Sequence, residues 1–326
     1  MANSKHPKLR ALLHAPALCM LCFLFMQHSH GRNPGFANDH PEPRSRQVRF
    51  QALLEAAVDD GLPGLSLRVV GAGIDFQGAA GVADLITGEP LTPAHAIYSA
   101  SLGKTFTATV ALQLCEQGRL ELDAPVDRRL PAAVAERIPF SNTITLRHLL
   151  SHTSGLMDYM NDQKAWRSEF VRNPRRRWSH SEVIAYIFHR PLLFEPGSDF
   201  HYSNSNYILA GMMIEQVTGR PLDQLINERI IRPLKLVHSF AGGAPVNDVH
   251  AVRGYARQRG RIIDTYPWYS HYALADSGIH STPGDLARFM AALFRDDLLV
   301  NERTKKHMLT TSNAGYPPSD YGLGIY

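Results

Sequence analysis

Apolar and polar positions divide the chain into a short β-prone start and a long, mainly helical remainder. Phe50, Leu53, Leu54 and Ala57 recur at helical spacing and predict a helix over 49–60. The stretch GLPGLSLRVVGAGIDFQGAAG then reads as a hairpin, with strands over 65–70 and 74–79 joined by a turn at 71–73. After a long connection, apolar residues fall at Leu102, Phe106, Val110 and Leu114, and Gly118 offers a helix C-cap. From about 120 to 275 the pattern is mainly helical with long loops. ITLRHLLSHTSGL predicts a short helix running into a Ser-Gly turn, and 206–217 predicts another closed by Gly219. Pro221 opens the next helix at its first turn and Pro233 ends it. Thr282-Pro283-Gly284-Asp285 carries the cap, first-turn proline and acid of a helix start, with Leu286, Phe289, Met290 and Leu293 as its apolar stripe. No internal repeat or low-complexity segment interrupts this order.

Length and composition narrow the class. The 326 residues suffice for one large domain or two lobes. At 44% hydrophobic and 20% charged, the chain is neither collagen-like, coiled coil nor broadly disordered. The net charge of +4 is spread along the sequence. Its densest cluster, Arg172, Arg175, Arg176 and Arg177, has no nucleic-acid recognition motif beside it and reads as a solvated loop. At the N-terminus, Lys5, Lys8 and Arg10 precede a mostly apolar run over 11–26, too short for a comfortable membrane span. Gly35-Phe36-Ala37 supplies small residues at cleavage spacing. An export signal over 1–37 is therefore expected, with a periplasmic or secreted product. The alternative is an uncleaved segment that anchors the protein, and membrane association is expected only through it. Residues 38–46 read as a linker. Cys115 is the one cysteine beyond the leader, so no disulfide is expected and it reads as an inert buried thiol.

Candidate chemistry starts at Ser101 and Lys104. At i and i+3 they share one helix face. A lysine in an apolar setting can act as proton acceptor for a serine nucleophile. The S-x-x-K pattern alone arises by chance about once or twice in a chain of this length. Its setting gives it weight, because it opens a helix apolar nearly all round, and a buried lysine needs a reason. Tyr202-Ser203-Asn204 stands on a loop directly before another helix, with a phenol that can relay a proton and a two-sided amide that can hydrogen-bond a substrate's peptide-like group. As isolated residues they read first as a polar loop that caps a helix.

Five stretches in order make the pattern specific: YSASLGKTFTATVALQLCEQGRLELDAPV, ITLRHLLSHTSGLMDYMND, FEPGSDFHYSNSNYILAGMMIEQVTGRPL, SGIHSTPGDLARFM and YGLG. Together they cover roughly residues 60 to 325. The chain resembles the serine penicillin-recognising enzymes of the class C β-lactamase and D-alanyl-D-alanine carboxypeptidase type. The resemblance implies an α+β, β-lactamase/transpeptidase-like domain over 47–326, with an antiparallel sheet flanked by helices and a mostly helical subdomain over about 120–275. It implies Ser101 as acylated nucleophile, Lys104 as its proton partner and Tyr202 as general base and acid. Asn204 would hydrogen-bond the substrate amide and the Ser101 N–H would form half of an oxyanion hole, while Trp268 reads equally as a residue lining the substrate cleft and as a partly buried core tryptophan. No metal or cofactor is implied. The expected partner is a small-molecule or peptide substrate, with cell-wall peptide and β-lactams first. Carboxylesterase and D-aminopeptidase activities are the nearest rivals.

One motif of that family has no counterpart here. A Lys or His, then Thr or Ser, then Gly normally follows YGLG on an edge strand, and the sequence given ends at Tyr326. His152-Thr153-Ser154-Gly155 has one residue too many, precedes Tyr202 and lies in a helical region, so it does not substitute. The expectation is a C-terminally incomplete sheet, lacking its last strands and closing helix, and a 326-residue chain that folds incompletely and turns over poorly. A non-catalytic ligand-binding relative is the second reading. His152 itself reads as structural, because it follows a helix end and Ser154 is too near for a triad. His238, His250, His271 and His280 lack metal-ligand spacing, and no G-x-S-x-G elbow occurs.

Overall fold

A two-residue turn, Ala72 at φ 50° and Gly73 at φ 74°, closes the first hairpin. Positive φ at both positions matches the right-handed twist of the strands it joins. The computed structural model describes residues 43–161, 164–243, 252–258, 260–311 and 320–326. The expected leader over 1–37 and residues 38–42 lie outside these. The hairpin strands are β1 (Gly64–Gly71) and β2 (Ile74–Gly81), antiparallel with Val69 opposite Phe76. Helix α1 (Pro43–Asp59) packs on β2, with the Phe50 and Phe76 ring centroids 5.2 Å apart. It starts within the segment read as linker, so 43–46 are helical. Proline is tolerated in a first helical turn, and a polar first turn carries no apolar period to reveal it.

Next come β3 (Ile97–Tyr98), a 3₁₀ turn at Ala100–Leu102, and α2 (Gly103–Glu116). Short helices α3 (Ala132–Ala135), α4 (Leu146–Leu150), α5 (Lys164–Arg172) and α6 (His180–Ile184) lead to α7 (Asn204–Thr218). Helix α8 (Leu222–Ile226) continues into a π-helical turn, Asn227–Ile231. Then follow β4 (Phe240–Ala241), β5 (Tyr255–Gln258), β6 (Arg261–Asp264), α9 (Tyr266–Tyr269), β7 (Ile279–Ser281), α10 (Pro283–Phe294) and α11 (Glu302–Leu309). Strand β7 lies between β3 and β4, antiparallel to both. The β5–β6 hairpin interrupts the region that reads as helical in sequence. Four-residue strands are too short to show a period of two against helical neighbours.

The core forms where α2 meets α7. Phe106, Leu112, Leu114, Ile208, Leu209 and Ile214 are fully buried. Helix α2 is buried nearly all round, as its sequence requires, and its hydroxyls are satisfied within the protein. Thr107 Oγ1 donates to Ala275 O at 2.7 Å and Thr105 Oγ1 to Gly324 O at 2.8 Å. The predicted caps are present. Thr282 Oγ1 accepts the Asp285 N–H at 3.2 Å, and Gly219 ends α7 at φ 69°. Among the described residues no helix is long and apolar enough to cross a membrane.

His280, on β7 opposite Tyr98, is 1% exposed, and its Nδ1 has no hydrogen-bond partner among the described residues. Burial pushes its imidazole down from 6.5 to about 4. Below pH 6.5 the unfolded chain takes up a proton that the folded chain refuses, so stability falls as the pH drops from 6.5 towards 4. The full window is worth up to about 3 kcal/mol. Urea unfolding at pH 7 and pH 5 should show this loss, and His280→Phe should remove the His280 share of it, leaving that of the buried His152. An unchanged slope in that variant would remove His280 as its source.

Candidate active site

The site is built where β3 runs into α2. Ala100 takes φ 46°, a left-handed conformation costing a non-glycine residue about 1 kcal/mol. The 3₁₀ turn that follows leaves Ser101 exposed, and the first turn of α2 takes Lys104 to 1% exposure. Gly103 sits between them against the backbone of Ser277. A β-carbon there would stand 2.1 Å from Ser277 O. Only glycine lets the helix start press this closely on the segment before β7.

That approach delivers Lys104 to three oxygens. Its Nζ donates to Asn204 Oδ1 at 2.7 Å, to Asp276 O at 2.9 Å and to Ser101 Oγ at 3.3 Å. The two shorter bonds go to carbonyl oxygens, which only accept. The third direction points at a hydroxyl, which can accept or donate. With Lys104 charged, the three N–H groups fill all three directions. With Lys104 neutral, two N–H groups hold the carbonyls and the lone pair faces Ser101 Oγ–H. One geometry therefore serves both ends of a proton transfer.

Asn204 is the first residue of α7 and 5% exposed. Its Nδ2 donates to both carboxylate oxygens of Asp158, at 2.9 and 3.2 Å. Lysine on one side and carboxylate on the other fix the amide's orientation. Both of its polar ends are thus engaged inside the protein, and a substrate amide would have to share Oδ1 with Lys104. Asp158 is fully buried, and burial raises its carboxyl above the ordinary range. It also accepts the Met160 N–H at 2.9 Å and Asn161 Nδ2 at 2.5 Å. The other wall is Asp276, 1% exposed. Its carboxylate accepts the hydroxyls of Tyr159 at 2.9 Å, Tyr272 at 3.2 Å and Ser277 at 3.2 Å. This anchorage holds the Asp276 carbonyl under Lys104.

Tyr202 brings its ring centroid to 5.0 Å from Lys104 Nζ. The structure thus gathers Ser101, Lys104, Tyr202 and Asn204. Trp268 is not drawn into this network. It lies on α9, and its indole donates to Val171 O of α5 at 3.3 Å, while its neighbour Tyr269 stacks on Tyr98 at 4.9 Å. Asp158 and Asp276 were missed in the sequence. Each is an acid set among apolar residues, in SGLMDYM and ALADSG, and that setting is the signal that points to a buried carboxylate. Burial pushes the Cys115 thiol up to about 12, so it stays protonated and inert. Of the arginine cluster, Arg176 pairs with Glu169 and Glu182 and covers Trp178 at 3.9 Å, a structural use. Among the described residues no cluster of three His, Cys, Asp or Glu could hold a metal ion.

Residues 50–326 match the family model described as Beta-lactamase. The chain belongs to the beta-lactamase family. A D-stereospecific amidohydrolase from Streptomyces sp. is similar at 34% identity and TM-score 0.71, over 85% of this chain and 82% of that one. The D-amino acid amidase of Ochrobactrum anthropi SV3, in complex with L-phenylalanine amide, superposes at TM-score 0.72 and 27% identity, over 85% and 79%. Penicillin-binding protein 4* of Bacillus subtilis is 28% identical over 80% of this chain and 58% of its own length. The chain spans about half the length of the curated relatives it matches. The fold is β-lactamase/transpeptidase-like, as the sequence resemblance implied.

Proposed function

We propose that this member of the beta-lactamase family is a serine hydrolase that forms an acyl-enzyme at Ser101, with D-configured amides as its first substrate class and β-lactams as alternative acyl donors. The observation that carries the reading is the three-way coordination of Lys104 Nζ, whose one hydroxyl contact is an exposed serine. Ser101 Oγ–H gives its proton to the Lys104 lone pair while Oγ bonds to the substrate carbonyl carbon. The resulting tetrahedral centre collapses by breaking the C–N bond, and Tyr202 passes a proton to the leaving nitrogen. Lys104 passes the proton it took from Ser101 to Tyr202, and water then attacks the ester carbonyl as the C–Oγ bond breaks, leaving its OH on the acid and its proton on Ser101 Oγ. The D preference draws on the two amidase neighbours, whose names specify D-configured substrates. A D-alanyl-D-alanine peptide end is the cell-wall form of such an amide.

The test is intact-protein mass spectrometry after incubation with aryl amides of D- and L-phenylalanine, a penicillin and a short-chain aryl ester. The D-amide and the penicillin should each add one acyl group, and the L-amide should react at least about tenfold more slowly. Reaction with the ester alone would replace the amidase reading with a carboxylesterase. No adduct from any probe would leave a ligand-binding relative without covalent chemistry.

A further inference from the structure

His152 is buried and grips the 201–203 segment at three points, one on each residue. Its backbone, at φ 59°, is left-handed. Its carbonyl accepts the His201 N–H at 3.0 Å, and its Nδ1 accepts the Ser203 N–H at 3.1 Å. Tyr202 is therefore clasped at the residue before it and the residue after it by one histidine. The imidazole also lies against the Tyr202 ring, with centroids 4.2 Å apart and planes 33° apart. Asn206 Nδ2 reaches the same Nδ1 at 3.1 Å, while Asn206 Oδ1 accepts Ser154 Oγ–H at 2.5 Å. A nitrogen that receives N–H donors carries no proton of its own. The neutral ring's proton must then sit on Nε2, which is buried with no hydrogen-bond partner among the described residues. The rings of Tyr321, at 4.8 Å, and Tyr207, at 5.3 Å, close round it. A partnerless buried N–H costs about 1–3 kcal/mol, and the left-handed backbone adds about 1 kcal/mol. Two such costs at one residue indicate a demand beyond packing.

We propose that His152 is a positioning residue that holds Tyr202 beside Lys104, acting as hydrogen-bond acceptor in its Nε2–H tautomer and not as a base. This rests on the reading of Tyr202 as the proton relay for acylation at Ser101. Its Nδ1 is already committed to the Tyr202 loop, so it has no capacity left to take a proton from Ser101. Burial holds the imidazole well below its usual range, which keeps this tautomer neutral.

The test compares His152→Asn with His152→Gly in the full chain. Both residues tolerate a left-handed backbone, but only asparagine offers an acceptor where Nδ1 stood. Acylation at saturating probe should fall about 10²-fold in the glycine variant, with the probe's half-saturating concentration little changed. The asparagine variant should recover about tenfold of this. Equal rates in the two variants at matched stability would overturn the proposal. A second measurement does not need activity. Nitrogen-15 spectra of the histidine-labelled wild type should show His152 bare at Nδ1 and protonated at Nε2. Relaxation of the Tyr202 ring should show order lost in the glycine variant and kept in asparagine. A protonated Nδ1, or an equally ordered ring in both variants, refutes the proposal even if no probe acylates the protein. Absence of acylation together with the expected spectra would refute the serine-hydrolase reading alone.

Discussion

Ser101→Ala is expected to abolish covalent labelling, lowering acylation at least about 10⁴-fold, or about 5 kcal/mol in barrier. The exchange removes the one atom that bonds to the carbonyl. Ser101 is exposed, so it should leave stability within about 0.5 kcal/mol. Lys104→Met is expected to cost less in rate, about 10²–10⁴-fold, because it removes the proton acceptor and leaves the nucleophile. It should cost more in stability, since it leaves Asn204 Oδ1 and Asp276 O buried without a donor, at about 1–3 kcal/mol each. The double variant should label no more slowly than Ser101→Ala alone, because the lysine acts only through the serine. The measurement is acyl mass gain against time in the three variants, with urea unfolding alongside. An adduct that persists in Ser101→Ala at the wild-type rate would move the nucleophile elsewhere. A double variant slower than Ser101→Ala would give Lys104 a role independent of Ser101.

That asymmetry also explains which parts of the site were readable in advance. Ser101 and Lys104 are three residues apart on a helix whose apolar period is strong, so local sequence exposes both the pair and its burial. Asn204 was readable because Tyr202-Ser203-Asn204 directly precedes the equally apolar α7. Asp158 and Asp276 were not. Asp276 is 172 residues from Lys104, and the contact between them is made by a backbone carbonyl, which leaves no mark on residue type. The three-stranded sheet was hidden for a related reason. Strands β3 and β4 have two residues each, and two residues define no alternation. What places them is their pairing with β7, which depends on how α2 docks. His152 reads from sequence as structural, because it follows a helix end. Its grip on the Tyr202 loop spans some fifty residues and could not be seen from its neighbours. Trp268 reads from sequence as a cleft residue or a partly buried core residue, and its indole bonds to Val171 O of α5.

Gly103→Ala should be the most damaging single-methyl addition near the site. Its β-carbon would stand 2.1 Å from Ser277 O, 2.5 Å from Ser277 C and 2.6 Å from Ser277 Cα, all backbone atoms that cannot rotate aside. Either the start of α2 or the 276–277 segment must move. The Lys104 bond to Asp276 O crosses that same seam, and so does the Thr107 bond to Ala275 O. The expected loss is about 3 kcal/mol or more, at the upper end for overpacking, and acylation should fall with it because Lys104 loses its register. Gly284→Ala is the control. It is the second residue of α10, where the atoms nearest the new methyl belong to the far end of the flexible Gln77 side chain, the first at 3.3 Å. The same exchange there should stabilise the protein by up to about 1 kcal/mol, since alanine is the better helix residue. Opposite signs in chemical denaturation would establish that α2 is held by backbone contact with Ser277. If Gly103→Ala were as benign as Gly284→Ala, the seam would be loose, and the placement of Lys104 against Asp276 would need another cause.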